Sequence, residues 1–556
     1  GVNGSISTAK VNNWANENTL TWTKTFNKVH NLSVLGGFTE QGNTSSTYGF
    51  GAINLPNESL GISGLDEGTL NPATTIARSS LWTSASFLSR VVYNYNSLYY
   101  LTFSYRADGS SKFTEQNHWS YFPSGALSWR FTQEKFLKDN KVISDGKLRF
   151  SYGKTGNNRV GDFSYLSTMA VPASYSYSFG NSWISSIIPQ TIGNPDLKWE
   201  TTDQYNLGLD LSFLKSRINL TADLYRKITK NLLLNATLPT STGYTTAFEN
   251  VGSVQNQGLE LTINTINVNT KDFSWRSSFN ISFNQNKVLA LANGQETLLT
   301  SVYWDNGWDG IPAYVARVGQ PLGLMYGYIW DGAYQYSDFN KTATGTYVLK
   351  DNVPTNGNTR TSIQPGDIKY KDLNGDGVVN ASDYTVIGNS LPIHIGGLNN
   401  SFTYKNFDLN LFFQWSYGNK IQNNNRLVFE GSAIGGAYLE QFASYADRWS
   451  ATNQSSSNFR AGGYYGGGYS SRTIEDGSYL RLKTASFGYN FPAKLLQKIK
   501  ISSLRIYVSG QNLWTLTNYS GLDPEVSTYN SVLTGGFDYS AYPRARTIAF
   551  GANITF

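Results

Sequence analysis

The chain has 556 residues, of which 40% are hydrophobic and 15% aromatic, with 37 Tyr, 30 Phe and 14 Trp. Only 15% are charged, against roughly 25% in soluble domains, and a net charge of +6 is too slight at this length to suggest a nucleic-acid partner. The lack of cysteine excludes a disulfide framework and a thiolate metal site, and no run approaches the ~18–20 apolar residues of a membrane helix.

Segments of period two recur from end to end. The first predicted strand lies near Ser5 to Asn12. Further on, Leu207, Leu209, Leu211 and Phe213 alternate with Gly208, Asp210 and Ser212, and Phe407, Leu409, Leu411, Phe413 and Trp415 alternate with Asp408, Asn410, Phe412 and Gln414. At the end, Ile548, Phe550, Ala552, Ile554 and Phe556 share one parity, while Thr547, Ala549, Gly551, Asn553 and Thr555 share the other. Successive strand side chains point to opposite faces, so each segment has one greasy face and one small or polar face. Lipid outside and water inside require that arrangement.

The connections alternate in length. Asn27-Lys28, Asn96-Ser97, Lys215-Ser216 and Lys405-Asn406 each join two alternating runs directly. About 45 residues separate the strands near Ser151 and Thr201, about 60 separate Tyr417 from Ser478, and about 30 separate Gln511 from Arg544. Short periplasmic turns and long extracellular loops produce this asymmetry. The predicted fold is all-β: a transmembrane antiparallel β-barrel of about seventeen strands, forming one domain over 1–556. Its long extracellular loops include 287–393 and 418–477. Single-chain bacterial barrels normally close with an even number of strands, and bare edges in lipid are costly. The expectation is therefore that the first strand pairs outside this sequence and that the chain is the carboxy-terminal portion of something longer. The terminal Phe556 resembles the assembly signal of bacterial outer-membrane proteins.

Several segments resemble the SusC-like (SusC/RagA) TonB-dependent transporters of the Bacteroidetes outer membrane. They are Leu148-Arg-Phe-Ser-Tyr-Gly-Lys-Thr-Gly-Asn157, Asn194-Pro-Asp-Leu-Lys-Trp-Glu200 with the hairpin from Thr201 to Leu234, and Asn250-Val-Gly-Ser-Val-Gln-Asn-Gln-Gly-Leu-Glu260. Gly366-Asp-Ile-Lys-Tyr-Lys-Asp-Leu-Asn-Gly-Asp-Gly377, Tyr479-Leu-Arg-Leu-Lys-Thr484 and Ser509-Gly-Gln-Asn-Leu-Trp514 complete the set. The resemblance implies a barrel of twenty-two strands, an amino-terminal plug inside it, a SusD-like surface lipoprotein as lid, and coupling to TonB through the plug region. This sequence matches the later part of that barrel only, with plug and early strands absent, so energy coupling falls on no residue here.

The sharpest chemical motif is the loop 372–383. Asp372, Asn374 and Asp376 stand at positions one, three and five of an EF-hand-like spacing, Gly377 at six, Val378 offers a carbonyl, and Asp383 stands at twelve. Hard oxygen ligands so spaced can wrap a structural Ca²⁺, closing a loop expected to have no core of its own. The competing reading is a turn whose carboxylates cap backbone amides.

No catalytic constellation appears. His30, His118 and His394 are far apart, no G-x-S-x-G elbow or phosphate-cradling loop is present, and paired carboxylates in the lumen read as water-facing charges. Recognition falls to loop aromatics: Trp183, Trp304, Trp308, Tyr464 and Tyr465, whose rings suit sugars or peptides and also serve as interface anchors. The expected function is import of glycan or peptide fragments across the bacterial outer membrane by a barrel in the lipid bilayer, without enzymatic activity. A non-transporting anchor or surface-binding barrel in a larger complex is the alternative, and a soluble lectin a third reading that the greasy stripe opposes.

Overall fold

The computed structural model describes residues 2–556 other than 138–139, 171–175, 239, 245, 306, 432–438, 456, 464–467 and 530. Its main element is a fifteen-stranded sheet in which the strands lie in chain order. They are β1 (Gly4–Phe26), β2 (His30–Ile53), β3 (Thr69–Tyr95), β4 (Tyr99–Ser110), β5 (Trp119–Trp129), β6 (Ile143–Asn157), β7 (Glu200–Phe213), β8 (Ile218–Lys230), β9 (Ser253–Asn269), β10 (Phe273–Ala290), β11 (His394–Tyr404), β12 (Phe407–Tyr417), β13 (Tyr479–Asn490), β14 (Ser503–Thr517) and β15 (Thr547–Thr555). The sequence suggests about seventeen. The difference arises because short alternating runs such as Leu233–Thr237 with Thr246–Asn250, and Thr297–Ser301 with Pro312–Arg317, pair with one another in small separate sheets.

Side-chain exposure bears out the two-faced strand. On β4 exposed and half-buried residues alternate from Tyr99 to Tyr105. Tyr99, Leu101, Phe103 and Tyr105 of β4, Leu127 of β5, Phe487 of β13 and Ile506, Trp514 and Leu516 of β14 are exposed on the same alternation. In water such a surface would be a liability; in a bilayer it is the lipid-facing wall. The strands β1, β2 and β3 run 23, 24 and 27 residues, well beyond the ~9–11 needed to cross a membrane, so their ends project past the bilayer.

The tight turns close as the sequence indicates. Asn27 and Lys28, Asn96 and Ser97, and Lys215 and Ser216 all have positive φ, the conformation that matches hairpin turns to strand twist. Lys405 and Asn406 form a two-residue loop between the paired Tyr404 and Phe407.

Contacts divide the chain into two compact units. In the first, which holds 1–139, 146–208 and 225–255, Phe113, Phe122, Val160, Leu197 and Trp199 form a buried cluster. Two of the family-like segments meet there: the Asn250 side chain accepts from the Lys198 amide (2.8 Å) and donates to the Lys198 carbonyl (2.7 Å). The second unit holds 140–145, 209–224 and 256–556. Its long connections do have a core, contrary to the expectation for the 372–383 region. Val302, Trp308, Tyr314, Met325, Leu427, Tyr469 and Phe537 pack into one cluster. Tyr328, Ile368, Tyr370, Val379 and Phe459 pack into another.

Candidate functional site

The second unit's long connections, 291–393, 418–478 and 518–546, fold into a crown. Apolar residues far apart in sequence are buried together, and short strands tie the segments to each other. Lys420–Asn423 pairs antiparallel with Ile474–Asp476 and parallel with Phe537–Asp538. The strands Thr297–Ser301, Pro312–Arg317, Leu324–Gly327 and Thr385–Asn389 form a second small sheet. Gly366 shows how tightly the segments approach: its φ is +89°, and a Cβ there would overlap the Trp449 ring.

Trp308 lies inside the crown and not on its surface. It is 1% exposed, with its ring 4.7 Å from that of Tyr469, so it is a core residue of the crown. Its setting in Trp-Asp-Asn-Gly-Trp-Asp-Gly looks solvated in sequence, yet the turn folds the ring inward. Trp304 is partly buried on the same cluster; its indole N–H donates to the Tyr469 hydroxyl (2.8 Å) and its ring lies 4.4 Å from that of Tyr539. Around it the surface is aromatic: Tyr303 is 70% exposed, and the Tyr529 hydroxyl donates to the Tyr303 carbonyl (2.6 Å). Trp183 lies in the short strand Ser182–Ser185, paired with Ser176–Phe179, in the first unit. Tyr464 and Tyr465 lie outside the described residues.

Two charged networks escape sequence reading. The first is buried in the crown. The Glu430 carboxylate accepts from Arg472 (2.8 Å), Arg426 (2.8 Å) and Ser444 (2.7 Å), and Arg426 also reaches Glu475 (3.2 Å). Burial pushes the Glu430 carboxyl up, but the Ser444 hydroxyl and the two guanidinium groups outweigh it and hold it below the ordinary range.

The second network pins the 518–546 connection to the polar face of the sheet. Arg481, at 3% side-chain exposure, bonds Asp523 (2.7 Å), Glu525 (2.6 Å) and the Thr515 hydroxyl (2.9 Å). Glu525 also receives Lys483 (3.3 Å), Arg544 (3.0 Å) and the Tyr479 hydroxyl (2.8 Å). Leu480 and Leu482 flank Arg481 on the opposite parity and pair with the exposed Leu516 and Trp514. Arg481 therefore points away from lipid. Tyr479-Leu-Arg-Leu-Lys marks the spot in sequence, but its partner Glu525 is 44 residues away.

The 372–383 loop is held by its own amides. Asp372 accepts from Gly375 (2.7 Å) and Gly377 (2.8 Å), Asn374 from Asp376 (2.9 Å), and Asp376 from Val378 (2.8 Å). Asp383, fully buried, accepts from Leu373 (2.8 Å) and Asn380 (2.8 Å). The Val378 carbonyl accepts from the Asn380 side chain (3.2 Å). Gly377 has the positive φ of +83° that the sharp turn needs. Among the described residues no group of three or more His, Asp or Glu is placed to hold a metal ion.

Residues 2–391 match the family described as TonB dependent receptor-like, beta-barrel. The chain belongs to the TonB-dependent receptor family. TonB-dependent receptor P3 of Formosa agariphila is 35% identical over 551 residues, which are 98% of this chain and 52% of that protein. TonB-dependent receptor SusC of Bacteroides thetaiotaomicron is 32% identical over 85% of this chain and 44% of its own length. The chain thus spans about half the length of the curated relatives it matches. A solved structure of the RagAB peptide transporter superposes over the whole of this chain and 56% of its own at a TM-score of 0.81 and 23% identity, which establishes the same fold. The receptor barrel places this chain in the bacterial outer membrane, with the exposed apolar parity in lipid.

Proposed function

We propose that this chain forms the wall and outer vestibule of a TonB-dependent importer that takes up glycan or peptide fragments together with a SusD-like surface lipoprotein. The observation that carries the reading is the crown: three long connections with a common apolar core and a partly exposed aromatic surface at Tyr303, Trp304 and Tyr539. A preorganised vestibule binds at lower entropic cost than free loops do. The likeness to a RagAB peptide transporter supports peptide as one class of cargo, and the SusC-like resemblance implies the lipoprotein lid. Binding here is by stacking and hydrogen bonding, with no covalent step. The calcium reading of 372–383 rests on the spacing of Asp372, Asn374 and Asp376 alone and assigns the ion a structural role.

Uptake of labelled oligosaccharides and peptides by cells expressing the full-length receptor, with and without functional TonB, tests the proposal. TonB-dependent accumulation of one class is expected. Accumulation that ignores TonB, or none with either class, points to the anchoring role instead.

A further inference from the structure

A groove opens on the apolar face of the wall at β11, β12 and β13. It holds about 350 Å³ and is lined by Phe402, Tyr404, Phe407, Asp408, Leu409 and Phe487, at the lower end of the roughly 300–1,000 Å³ of small-ligand sites. Tyr404, Phe407 and Phe487 are exposed on the apolar parity. Tyr404 pairs with Phe407, Phe402 with Leu409, and Leu409 with Phe487, so these side chains share one face of three adjacent strands. The Phe407 and Phe487 rings stack at 5.7 Å, and Phe402 stacks on Trp275 at 5.6 Å. Asp408 belongs to the other parity, and its carboxylate is taken up by Arg505 (2.6 Å) and Asn490 (2.9 Å). The groove therefore offers its occupant rings and aliphatic carbon, which suits an acyl chain and no polar ligand.

Its position identifies the other end of that ligand. The groove lies beside the two-residue turn Lys405-Asn406, and short turns mark the periplasmic rim. The Lys405 amide donates to the Asp272 carbonyl of the neighbouring turn (2.7 Å), bringing Lys271 and Lys405 to adjoining, exposed turns. The Lys405 ammonium sits 5.5 Å from the Tyr404 ring centroid, over the groove's edge. With Asp272 the rim keeps one net positive charge at headgroup depth, where a cation attracts anionic lipid.

We propose that this groove is a phospholipid site, with one acyl chain lying against Phe402, Phe407 and Phe487 and the phosphate held at the rim by Lys405 and Lys271. Exposed aromatics elsewhere on the wall, such as the stacked Tyr105 and Tyr121 of β4 and β5, contact bulk lipid; this site retains one molecule. It depends on the membrane location and not on the cargo.

The test is native mass spectrometry of the receptor, purified from outer membranes in mild detergent and titrated with phosphatidylglycerol. One lipid that survives collisional activation is expected, retained at least tenfold less by the double variant Phe407→Ala/Phe487→Ala. Lys405→Glu/Lys271→Glu should lower retention of phosphatidylglycerol while leaving the folded mass and melting unchanged. Phe103→Ala, an exposed aromatic on β4, is the control and should retain lipid as the parent does. Equal retention by the parent and the groove variants, or equal loss in the control, overturns the site.

Discussion

Replacing Arg481 with Met should release the 518–546 connection from the sheet. Arg481, Asp523 and Glu525 have side-chain exposures of 3%, 12% and 11%. Removing one partner of a buried pair costs about 3–5 kcal/mol, because the remaining charges stay desolvated. Glu525 keeps Lys483 and Arg544, so the lower end, about 3 kcal/mol, is expected and is concentrated on Asp523. At 1.4 kcal/mol per tenfold, amides of 519–545 should exchange with solvent roughly 100-fold faster, while β13 and β14 keep their protection. Neutralising the stranded acid in Arg481→Met/Asp523→Asn should recover part of that loss, since contacting residues couple by about 0.5–3 kcal/mol. The assay is hydrogen exchange by mass spectrometry on the receptor in detergent. Exchange of 519–545 unchanged within threefold, or acceleration spread evenly over the strands, would refute the latch.

Other outcomes follow from the same physics. Trp308→Ala should cost about 3–5 kcal/mol and loosen the crown, read as new proteolytic cleavage in 291–393 and 418–478 with the sheet intact; wild-type resistance would show that the ring is not a core element. Burial pushes the Asp523 carboxyl up, but Arg481 and the amides of Glu525 and Arg544 outweigh it and hold the group below its usual 3.8. A lowered carboxyl stabilises the fold above the unfolded value and loses that contribution as pH falls through the folded one. The latch should therefore persist at pH 5 and open only as pH falls below 3.8, with hydrogen exchange of 519–545 as the readout, and opening already at pH 5 would contradict the assignment. Chelation with EDTA should leave thermal melting unchanged if amide capping holds the 372–383 loop; a fall reversed by added Ca²⁺ but not Mg²⁺ would establish the calcium reading.

The wall was legible because its physics is local. Ile548, Phe550 and Ile554 share a face by parity alone, and Asn27-Lys28 or Asn96-Ser97 announces a turn within two residues. The crown was not. Its core joins Val302, Leu427, Tyr469 and Phe537, which no period connects, and Trp308 sits among Asp, Asn and Gly that advertise solvent. The latch was half visible: Arg481 lies in a family-like segment, but nothing local links it to Asp523 or Glu525. In the 372–383 loop the spacing of oxygen ligands was clear, while the same oxygens turned out to be engaged by amides of their own loop, a choice that spacing cannot express.

The most direct test of the central claim is isolation of the tagged receptor from native outer membranes in mild detergent, with its companions identified by mass spectrometry. The expected result is extraction only with detergent and a stoichiometric surface lipoprotein seated on the crown, lost when Trp308→Ala loosens it. A chain recovered without detergent, or one that carries no lipoprotein from a membrane where it is abundant, would contradict the importer.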